Sequence, residues 1–463
     1  MRKTLATAMA MLAALSGFAL SAKAQETVAH HIFDGVTFYD GYRVTDFSAG
    51  IDSTEGVLHH ATYLYATKLS DEVLNNIGDT LRLNVWVKAC CDNYDRIGNV
   101  NLALVPKGDT TYSIDNVSRI ELGRFITPFM DKNKQPDTCP YTFSVDYLSL
   151  ILRDADLRSR YDFWMEYELF GVPYAANTQI TGCEGRNDVF QGTLDIVTSE
   201  PALPQTDTDV LVPIHIKGPN WRYDRGINNY NEACTDTLGK TTKTYTFTVP
   251  KDCADAQLVL VTSNHGAGNN GEEYNRRWHY VYVDGELELT YKPGRTSCEP
   301  FRQYNTQANG IYGTRKRSNF TWQSFSNWCP GDVIDNRIIY LGAFKAGQHS
   351  VRISVPDAVF SGSDGYIPVS VFFQGVTTGN ISAIEEVKAE DVATVSLNGE
   401  RISLDVRDAD ALANVTLYNA QGQRLYTSAT ADDISLSSLP KGIYLVNVEM
   451  ADGLVETHKM LYK

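Results

Sequence analysis

The carboxylates of this chain give the first indication of the chemistry it could perform. In residues 88–105, KACCDNYDRIGNVNLALV, the adjacent Cys90 and Cys91 stand a few residues ahead of the pair Asp95-Arg96, at the start of a strand-like run. A carboxylate can act as a general acid or base when the surrounding chain holds it in a fixed position. This stretch therefore makes Asp95 a candidate catalytic residue.

A second candidate stretch is residues 161–170, YDFWMEYELF, which has the composition of a strand. Because side chains alternate along a strand, one face is predicted to be core and contains Phe163, Met165, Tyr167 and Leu169. The other face contains Trp164, Glu166, Glu168 and Phe170. Two carboxylates between aromatic rings would suit a sugar-binding cleft, and a solvated face with incidental aromatic residues is the alternative.

Two loops of the second half add further candidates. Residues 264–277, NHGAGNNGEEYNRR, form a Gly- and Asn-rich loop that ends in Glu272, Glu273 and two arginines. Residues 291–332 form a loop far longer than ordinary connections, and such loops are usually functional or disordered. A disulfide between Cys298 and Cys329 would close this loop and contribute roughly 3–4 kcal/mol of stability.

Several other kinds of chemistry have no support in the sequence. It contains no GxSxG motif, no phosphate-binding loop and no dinucleotide fingerprint. It also lacks CxxC and HExxH motifs, so we expect no metal and no cofactor. Neighbouring carboxylates in a partly dry cleft can differ in pKa, which lets one donate a proton while another remains ionised. The residues therefore favour a hydrolase of an amide or a glycoside.

Short strands must position these residues. Residues 242–249, 277–289 and 367–373 alternate or are rich in β-branched and aromatic side chains, and Asp284-Gly285 is typical of a two-residue hairpin turn. Residues 145–158 could form one short helix. The pattern predicts an all-β protein made of sandwiches or barrels.

The length of 463 residues suggests two or three domains. Residues 1–24 resemble a secretory signal with a cleavage site after Ala24. Linkers at residues 201–208 and 377–387 predict domains at 25–200, 208–378 and 388–463. The eight cysteines all follow the signal, which predicts disulfides in an oxidising compartment.

The net charge and the hydropathy pattern limit the partners. A formal net charge of −15 argues against nucleic acid as a partner. No apolar run of 18 or more residues follows the signal, so we expect no membrane span.

Taken together, these stretches resemble the peptide-N-glycosidase F family. The resemblance is carried by CDNYDR at 91–96, GRFITP at 123–128, Glu166, GTLDIV at 192–197, Glu273-Tyr274 with Arg277 and His279, Cys298, and WCPG at 328–331. It implies two adjacent eight-stranded antiparallel jelly-roll sandwiches with an active site at their interface. It also implies hydrolysis of the amide between Asn and the innermost N-acetylglucosamine of an N-glycan, without metal or cofactor, which releases the intact oligosaccharide and leaves Asp.

By position, the resemblance implies catalytic roles for Asp95, Glu273 and Glu166. It implies substrate contacts for Arg96, Tyr274 and Trp328, and we add Arg277 and Trp164 from their positions beside these carboxylates. The family braces the turn before its catalytic Asp with a disulfide, and Cys91 matches its second cysteine. The partner of Cys91 remains open among Cys90, Cys139 and Cys183; Cys234 and Cys253 could pair within the second domain.

Two departures from the family pattern affect the second domain. Gly271 and Asn275 stand where the family has a cysteine pair, and Phe325 stands where it has an active-site Arg. Arg315 or Arg317 could replace that Arg. Substrate preference or rate could therefore differ from those of the family.

The last domain resembles the type IX secretion sorting domain through VTLYNAQG at 415–422, LPKGIYLVNV at 439–448 and KMLYK at 459–463. This implies export through the periplasm to the cell surface or the medium. We expect a monomer that acts on N-glycoproteins and N-glycopeptides. The alternatives are a non-catalytic glycan-binding protein or adhesin on the same scaffold, and a glycoside hydrolase that cuts within the chitobiose core.

Overall fold

The strands of the chain form antiparallel sheets that pair into three sandwiches. The computed structural model describes residues 27–43, 45, 56–199, 210–219, 226–228, 235–266, 271–307, 318, 320–321, 327–360, 365–379, 393–406, 412–419, 424–451 and 455–462. The predicted signal at 1–24 and the linker at 201–208 lie outside these residues, as do Cys234, Arg315, Arg317 and Phe325. No helix in the described part of the chain is long and apolar enough to cross a membrane.

The first sandwich is a jelly roll. Its strands are β1 (Thr27–Tyr39), β2 (Val57–Ala61), β3 (Leu64–Lys68), β4 (Leu81–Ala89), β5 (Ile97–Pro106), β6 (Ser118–Ile126), β7 (Thr138–Ser144), β8 (Tyr161–Leu169) and β9 (Asp188–Ser199). One sheet has the order β1-β9-β4-β7, and the other contains β6-β5-β8-β3-β2. Eight of these strands form the jelly roll that the resemblance implies, and β2 is an additional edge strand that pairs with β3.

The second sandwich is an eight-stranded jelly roll. Its strands are β10 (Val210–His215), β11 (Thr242–Val249), β12 (Asp255–Thr262), β13 (His279–Val283), β14 (Glu286–Tyr291), β16 (Arg337–Tyr340), β17 (Gly347–Ser354) and β18 (Val369–Val376). Their orders are β10-β18-β12-β16 and β11-β17-β13-β14. Positive φ at Asp284 and Gly285 builds the predicted hairpin turn between β13 and β14. The all-β, two-sandwich prediction is confirmed.

A short strand from the second half completes a sheet of the first sandwich. Strand β15 (Val333–Ile334) pairs with the end of β6, where Val333 lies opposite Phe125 and Ile334 opposite Arg124. The neighbouring turn adds two backbone bonds, from Gly331 N to Ile126 O at 2.9 Å and from Ile126 N to Asp332 O at 3.0 Å. These bonds tie the long loop of the second half to the first sandwich.

Charged side chains fill the interface between the two sandwiches. Arg124 is completely buried and donates to both oxygens of Glu121 at 2.8 and 2.7 Å. Its remaining donors reach Ser263 Oγ at 2.9 Å and the Pro368 carbonyl at 3.0 Å, both in the second half. Lys217 Nζ contacts Glu168 Oε2 at 3.0 Å across the same interface. The sheet face that carries these charges is therefore closed to solvent.

Four short helices connect the strands of the first sandwich: α1 (Asp71–Asn75), α2 (Tyr147–Arg153), α3 (Ala155–Arg160) and α4 (Tyr174–Gln179). The single helix predicted over 145–158 is wrong, because two helices occupy this segment. Asp154 has extended backbone and accepts a hydrogen bond from Leu157 N at 2.6 Å. It ends the first helix and caps the second.

The third sandwich is small and has a hydrophobic core of its own. Its strands are β19 (Ala393–Asn398), β20 (Arg401–Val406), β21 (Leu412–Asn419), β22 (Arg424–Ser428), β23 (Ile434–Ser435), β24 (Gly442–Met450) and β25 (Val455–Tyr462). They form the sheets β19-β20-β23 and β22-β21-β24-β25. Residues such as Val415, Leu417 and Val446 are fully buried between them.

Candidate active site

Asp95 lies in the loop between β4 and β5, and the buried carboxylate of Asp92 organises this loop. Asp92 accepts from Tyr94 N at 2.9 Å and from Val172 N at 2.7 Å. It also accepts a hydrogen bond from Arg96 Nε at 2.6 Å, which fixes the orientation of the guanidinium beside Asp95. The loop is therefore shaped by a side chain that sequence reasoning did not single out.

Thr127, within the GRFITP stretch, holds the chain on both sides of Asp95. Its hydroxyl accepts from Arg96 N at 2.7 Å and donates to Tyr94 O at 3.2 Å. Its own N–H donates to Arg96 O at 2.8 Å. Three bonds to the residues flanking Asp95 leave that position little freedom to move.

A disulfide closes the same loop from the other side. Cys91 bonds to Cys183, which lies just beyond α4, and Ala176 and Ile180 pack against the bridge. Cys90 and Cys139 carry free thiols. A second disulfide joins Cys298 to Cys329 in the long loop.

Glu273 lies in a tight turn of the second half. The side chain of Asn327 donates to the carbonyls of Glu273 at 3.1 Å and Asn275 at 2.7 Å, and the Asn327 N–H also reaches Glu273 O at 3.3 Å. Gly266 N lies 3.4 Å from Glu273 Oε2. Because Asn327 precedes the WCPG turn that docks on the first sandwich, the two halves of the site are mechanically linked.

The carboxylates of Asp95 and Glu273 form a partly buried like-charge pair. Burial and the nearby Glu273 carboxylate raise the pKa of Asp95 to about 7, and the Arg96 guanidinium opposes this shift. Burial, together with the carboxylates of Glu273 and Asp95, also raises the pKa of the Tyr274 phenol. Asp95, Arg96, Glu273 and Tyr274 are therefore brought together at the junction of the two sandwiches.

Glu166 does not lie beside Asp95 and Glu273. It is completely buried and accepts from Arg119 Nε at 2.9 Å, Tyr112 Oη at 2.8 Å and Asn101 Nδ2 at 3.0 Å. Although burial opposes ionisation, Arg119 holds the pKa of Glu166 below its ordinary value. Glu166 lies opposite Asn101 on β5, which is six residues beyond Asp95, or roughly 20 Å along an extended strand.

The strand face that carries Glu166 is not an open sugar-binding cleft. Trp164 is 5% exposed and packs against Ala66, Ala103 and Tyr112. The opposite face, from Phe163 to Leu169, lies in the core as the alternation predicted. The expected solvated or ligand-binding face is buried because charged partners neutralise its carboxylates.

Two other predicted substrate contacts have structural partners. Trp328 is 5% exposed, and its indole N–H donates to Asn264 O at 2.9 Å while its ring packs against Ile126 and Val261. Arg277 pairs with Glu272 at 3.0 Å and not with Glu273. Within the described ranges, no group of three or more His, Cys, Asp or Glu side chains is placed to hold a metal ion.

Sequence reasoning missed three residues that shape the site. Thr127 lies in the GRFITP stretch, which indicated only the resemblance to the family and no role for this residue. Asp92 carried a signal, since Asp often bonds to a backbone N–H two residues on. Asn327 carried none, because its bonds connect positions more than fifty residues apart.

The chain matches models of a known family over most of its first two domains. Residues 35–185 match "Peptide-N-glycosidase F, N terminal", and residues 229–374 match "Peptide-N-glycosidase F, C terminal". Together these matches cover more than half of the chain. Residues 389–463 match "Secretion system C-terminal sorting domain". This sorting domain marks the protein for export, to the cell surface or the medium.

Solved structures show the same fold. Two crystal forms of PNGF-II are 20% and 19% identical to the chain, each with a TM-score of 0.54 over 76% of the chain. The match spans 66% and 65% of the PNGF-II chains, slightly less than two thirds. Recombinant peptide:N-glycanase F is 17% identical with a TM-score of 0.50, over 77% of this chain and 97% of that one. Among curated proteins, no significant match is found.

Proposed function

The chain belongs to the peptide-N-glycosidase F family, and we propose that it hydrolyses the amide between an asparagine side chain and the innermost N-acetylglucosamine of an N-glycan. The products are the intact oligosaccharide, released as a glycosylamine, and an aspartate in the peptide. The observation that carries this proposal is the Asp95–Glu273 pair, in which the pKa of Asp95 is raised to about 7.

A group with this pKa suits amide hydrolysis near neutral pH. Ionised Asp95 takes a proton from a water molecule as the water oxygen bonds to the amide carbon. The C–N bond then breaks, and the same proton passes to the leaving nitrogen. A proton carrier with a pKa near the working pH can perform both transfers.

Neighbouring groups support this reaction in distinct ways. Arg96, held by Asp92, places positive charge beside the reacting centre and stabilises the negative charge that develops on the amide oxygen. Burial raises the pKa of Asp95, and repulsion from the Glu273 carboxylate raises it further. Tyr274 lies beside both carboxylates with its hydroxyl hydrogen-bonded to Glu273, and its ring supplies an aromatic surface for the first sugar.

The test is digestion of a defined N-glycopeptide by the full chain in heavy-oxygen water, followed by mass spectrometry. We expect Asn to become labelled Asp and an intact glycan to be released. Asp95→Asn should lower the rate by at least about 10²–10⁴-fold, since it removes the proton carrier. Asp156→Asn, which alters an exposed carboxylate on α3, is the matched control and should leave the rate unchanged.

Other products would contradict the proposal. Bound but unchanged glycopeptide would favour a non-catalytic glycan-binding protein. A single sugar left on Asn would identify a glycoside hydrolase that cuts within the core. Full activity of Asp95→Asn would exclude the assigned proton carrier.

A further inference from the structure

The outer face of the sheet β1-β9-β4-β7 carries an aromatic residue in a polar depression. Val85 and Val87 on β4 are fully buried in the core, so Trp86 between them points to the opposite, outer side. The depression has a volume of about 400 Å³ and is lined mainly by Trp86, Lys88, Thr138, Gln191, Thr193 and Asp195. We call these six residues the Trp86 patch. None of them belongs to the Asp95–Glu273 pair.

The strand register arranges the patch as a regular grid. Trp86 lies opposite Thr193 on β9 and Pro140 on β7. In the next layer along the strands, Lys88 lies between Gln191 and Thr138. In the layer on the other side of Trp86, Asn84 lies between Asp195 and Thr142. The aromatic ring is therefore surrounded by hydroxyl, amide, amine and carboxylate groups.

The size of the grid indicates a small ligand. Three strands and three layers cover roughly 10 Å by 14 Å, given the usual spacings within a sheet. This is far less than the roughly 800 Å² that each partner buries in a standard protein–protein interface. The volume of the depression lies within the range of small-molecule sites.

The chemistry of the grid indicates a neutral, hydroxyl-rich ligand. The charges at the patch already have partners, because Asp195 lies 2.8 Å from His31 Nδ1 and Lys88 Nζ lies 3.9 Å from Asp137. The chain as a whole has a net charge of −15, which disfavours phosphates. Trp86 offers a flat apolar ring face and an N–H group. Among the described residues, neither the Trp86 indole nor the Gln191 side chain has a hydrogen-bond partner. A pyranose ring has a flat C–H face and a rim of hydroxyls, which match this arrangement.

We propose that the Trp86 patch is a second glycan-binding site, which takes a neutral oligosaccharide of two or three residues without breaking a bond. The sugar stacks on Trp86, and its hydroxyls bond to the Gln191 amide and to the Thr193 hydroxyl, which accepts from Gly35 N and can still donate. The proposal does not rest on the amidase activity. On a glycoprotein with several glycan chains, such a site raises the effective concentration of the protein at its target.

Titration calorimetry of the full chain with N,N′-diacetylchitobiose, mannotriose and N-acetyllactosamine tests this site. At least one sugar should bind, and Trp86→Ala should weaken that binding at least tenfold. Gln191→Ala should weaken it several-fold. Tyr340→Ala, which removes an exposed aromatic residue on β16, is the matched control and should bind like the wild type.

Two further readouts separate this site from folding and from catalysis. Trp86→Phe keeps a ring and should retain binding within about fivefold, with an unchanged melting temperature. In an amidase assay, Trp86→Ala should cleave a short N-glycopeptide at the wild-type rate. Binding of none of the three sugars, or equal binding by Trp86→Ala and wild type, would overturn the proposal.

Discussion

At the scale of single residues, the site depends on two carboxylates that disfavour each other's charge. Asp95 is partly buried, and Glu273 approaches it from the other sandwich, so ionising both is costly. Arg96 offsets only part of this cost because Asp92 already engages its guanidinium. The pair therefore retains a proton at a pH where an isolated Asp would have lost it.

Glu273→Gln should move the acid side of the pH profile to lower pH. Asp95 acts when ionised, so kcat/KM rises with pH through an inflection near pH 7. Removing the Glu273 charge removes a contribution that raises the pKa of Asp95, so the inflection falls. A pH series of kcat/KM checks this, and NMR titration of the Asp95 carboxyl checks it even in a slow variant. An unchanged pKa would show that the two carboxylates do not interact.

Asp95→Asn should stabilise the fold at pH 8 and leave it nearly unchanged at pH 4. The pKa of Asp95 is about 7 in the folded chain and about 4 in an unfolded one, so its contribution to stability falls as pH rises between these values. Asn carries no charge and avoids this loss. After allowance for partial exposure, we expect a gain of roughly 1 kcal/mol at pH 8 by denaturant unfolding. Equal stabilities at pH 8 would contradict the raised pKa.

The sequence predicts which carboxylates lie together better than it predicts their surroundings. The contexts of Asp95 and Glu273 in the chain were sufficient to single them out. Glu166 and Trp328 were chosen by the same reasoning, yet one is locked by Arg119 and the other is buried in the interface. Spacing along a strand indicates which face a side chain occupies, but burial of that face depends on partners far away in the sequence, as Arg119 and Tyr112 are for Glu166.

At the scale of elements, the end of β6 holds the loop that carries Asp95. Thr127 follows this strand directly and bonds to the residues on either side of Asp95. The disulfide from Cys91 to Cys183 fixes the other end of the loop to the segment after α4. Catalytic groups lose much of their effect when displaced by about 1 Å, so this support matters for rate.

Thr127→Val should lower kcat about tenfold while the chain remains folded. The substitution keeps the shape of the side chain and the Thr127 N–H bond, but it removes the hydroxyl that bonds to Tyr94 and Arg96. Thr127→Ser should restore most of the rate, and Thr142→Val on the exposed face of β7 should not affect it. Steady-state kinetics with melting curves check these outcomes. Wild-type kcat in Thr127→Val would show that the hydroxyl does not position Asp95.

The elements themselves were predicted where alternation is strong. Strand β11 has the predicted bounds, and the hairpin at Asp284-Gly285 follows from turn chemistry alone. The division of the 145–158 segment at Asp154 and the two-residue strand β15 were missed. The first depends on a local capping bond to Asp154, and the second depends on pairing between strands about 200 residues apart. A periodic sequence pattern reveals neither kind of bond.

At the scale of the whole molecule, buried charges join the two sandwiches. Arg124 binds Glu121 on its own strand and two oxygens of the other sandwich, so the site is assembled on a fixed interface. Although burial opposes ionisation, Arg124 holds the pKa of Glu121 below its ordinary value. Such a network orients its members. When one partner is lost, however, a buried charge remains uncompensated and the free energy of unfolding falls.

Arg124→Met should destabilise the protein by about 3–5 kcal/mol, because it leaves the Glu121 charge buried without its partner. The double variant Arg124→Met/Glu121→Gln should recover much of this loss. Arg160→Met, which breaks an exposed pair with Asp156, is the control and should cost less than about 1 kcal/mol. Denaturant unfolding of the three variants measures these differences. A small effect of Arg124→Met would mean that the interface is hydrated and not closed.

The pairing of β15 with β6 also has a consequence during synthesis. The end of β6 emerges from the ribosome about 200 residues before its partner strand, which at 5–20 residues per second is a delay of roughly 10–40 seconds. During that interval the first sandwich has an open edge on which another nascent chain could pair. Until the second half of the chain is available, the first sandwich therefore has an unpaired edge at β6 that favours association between chains.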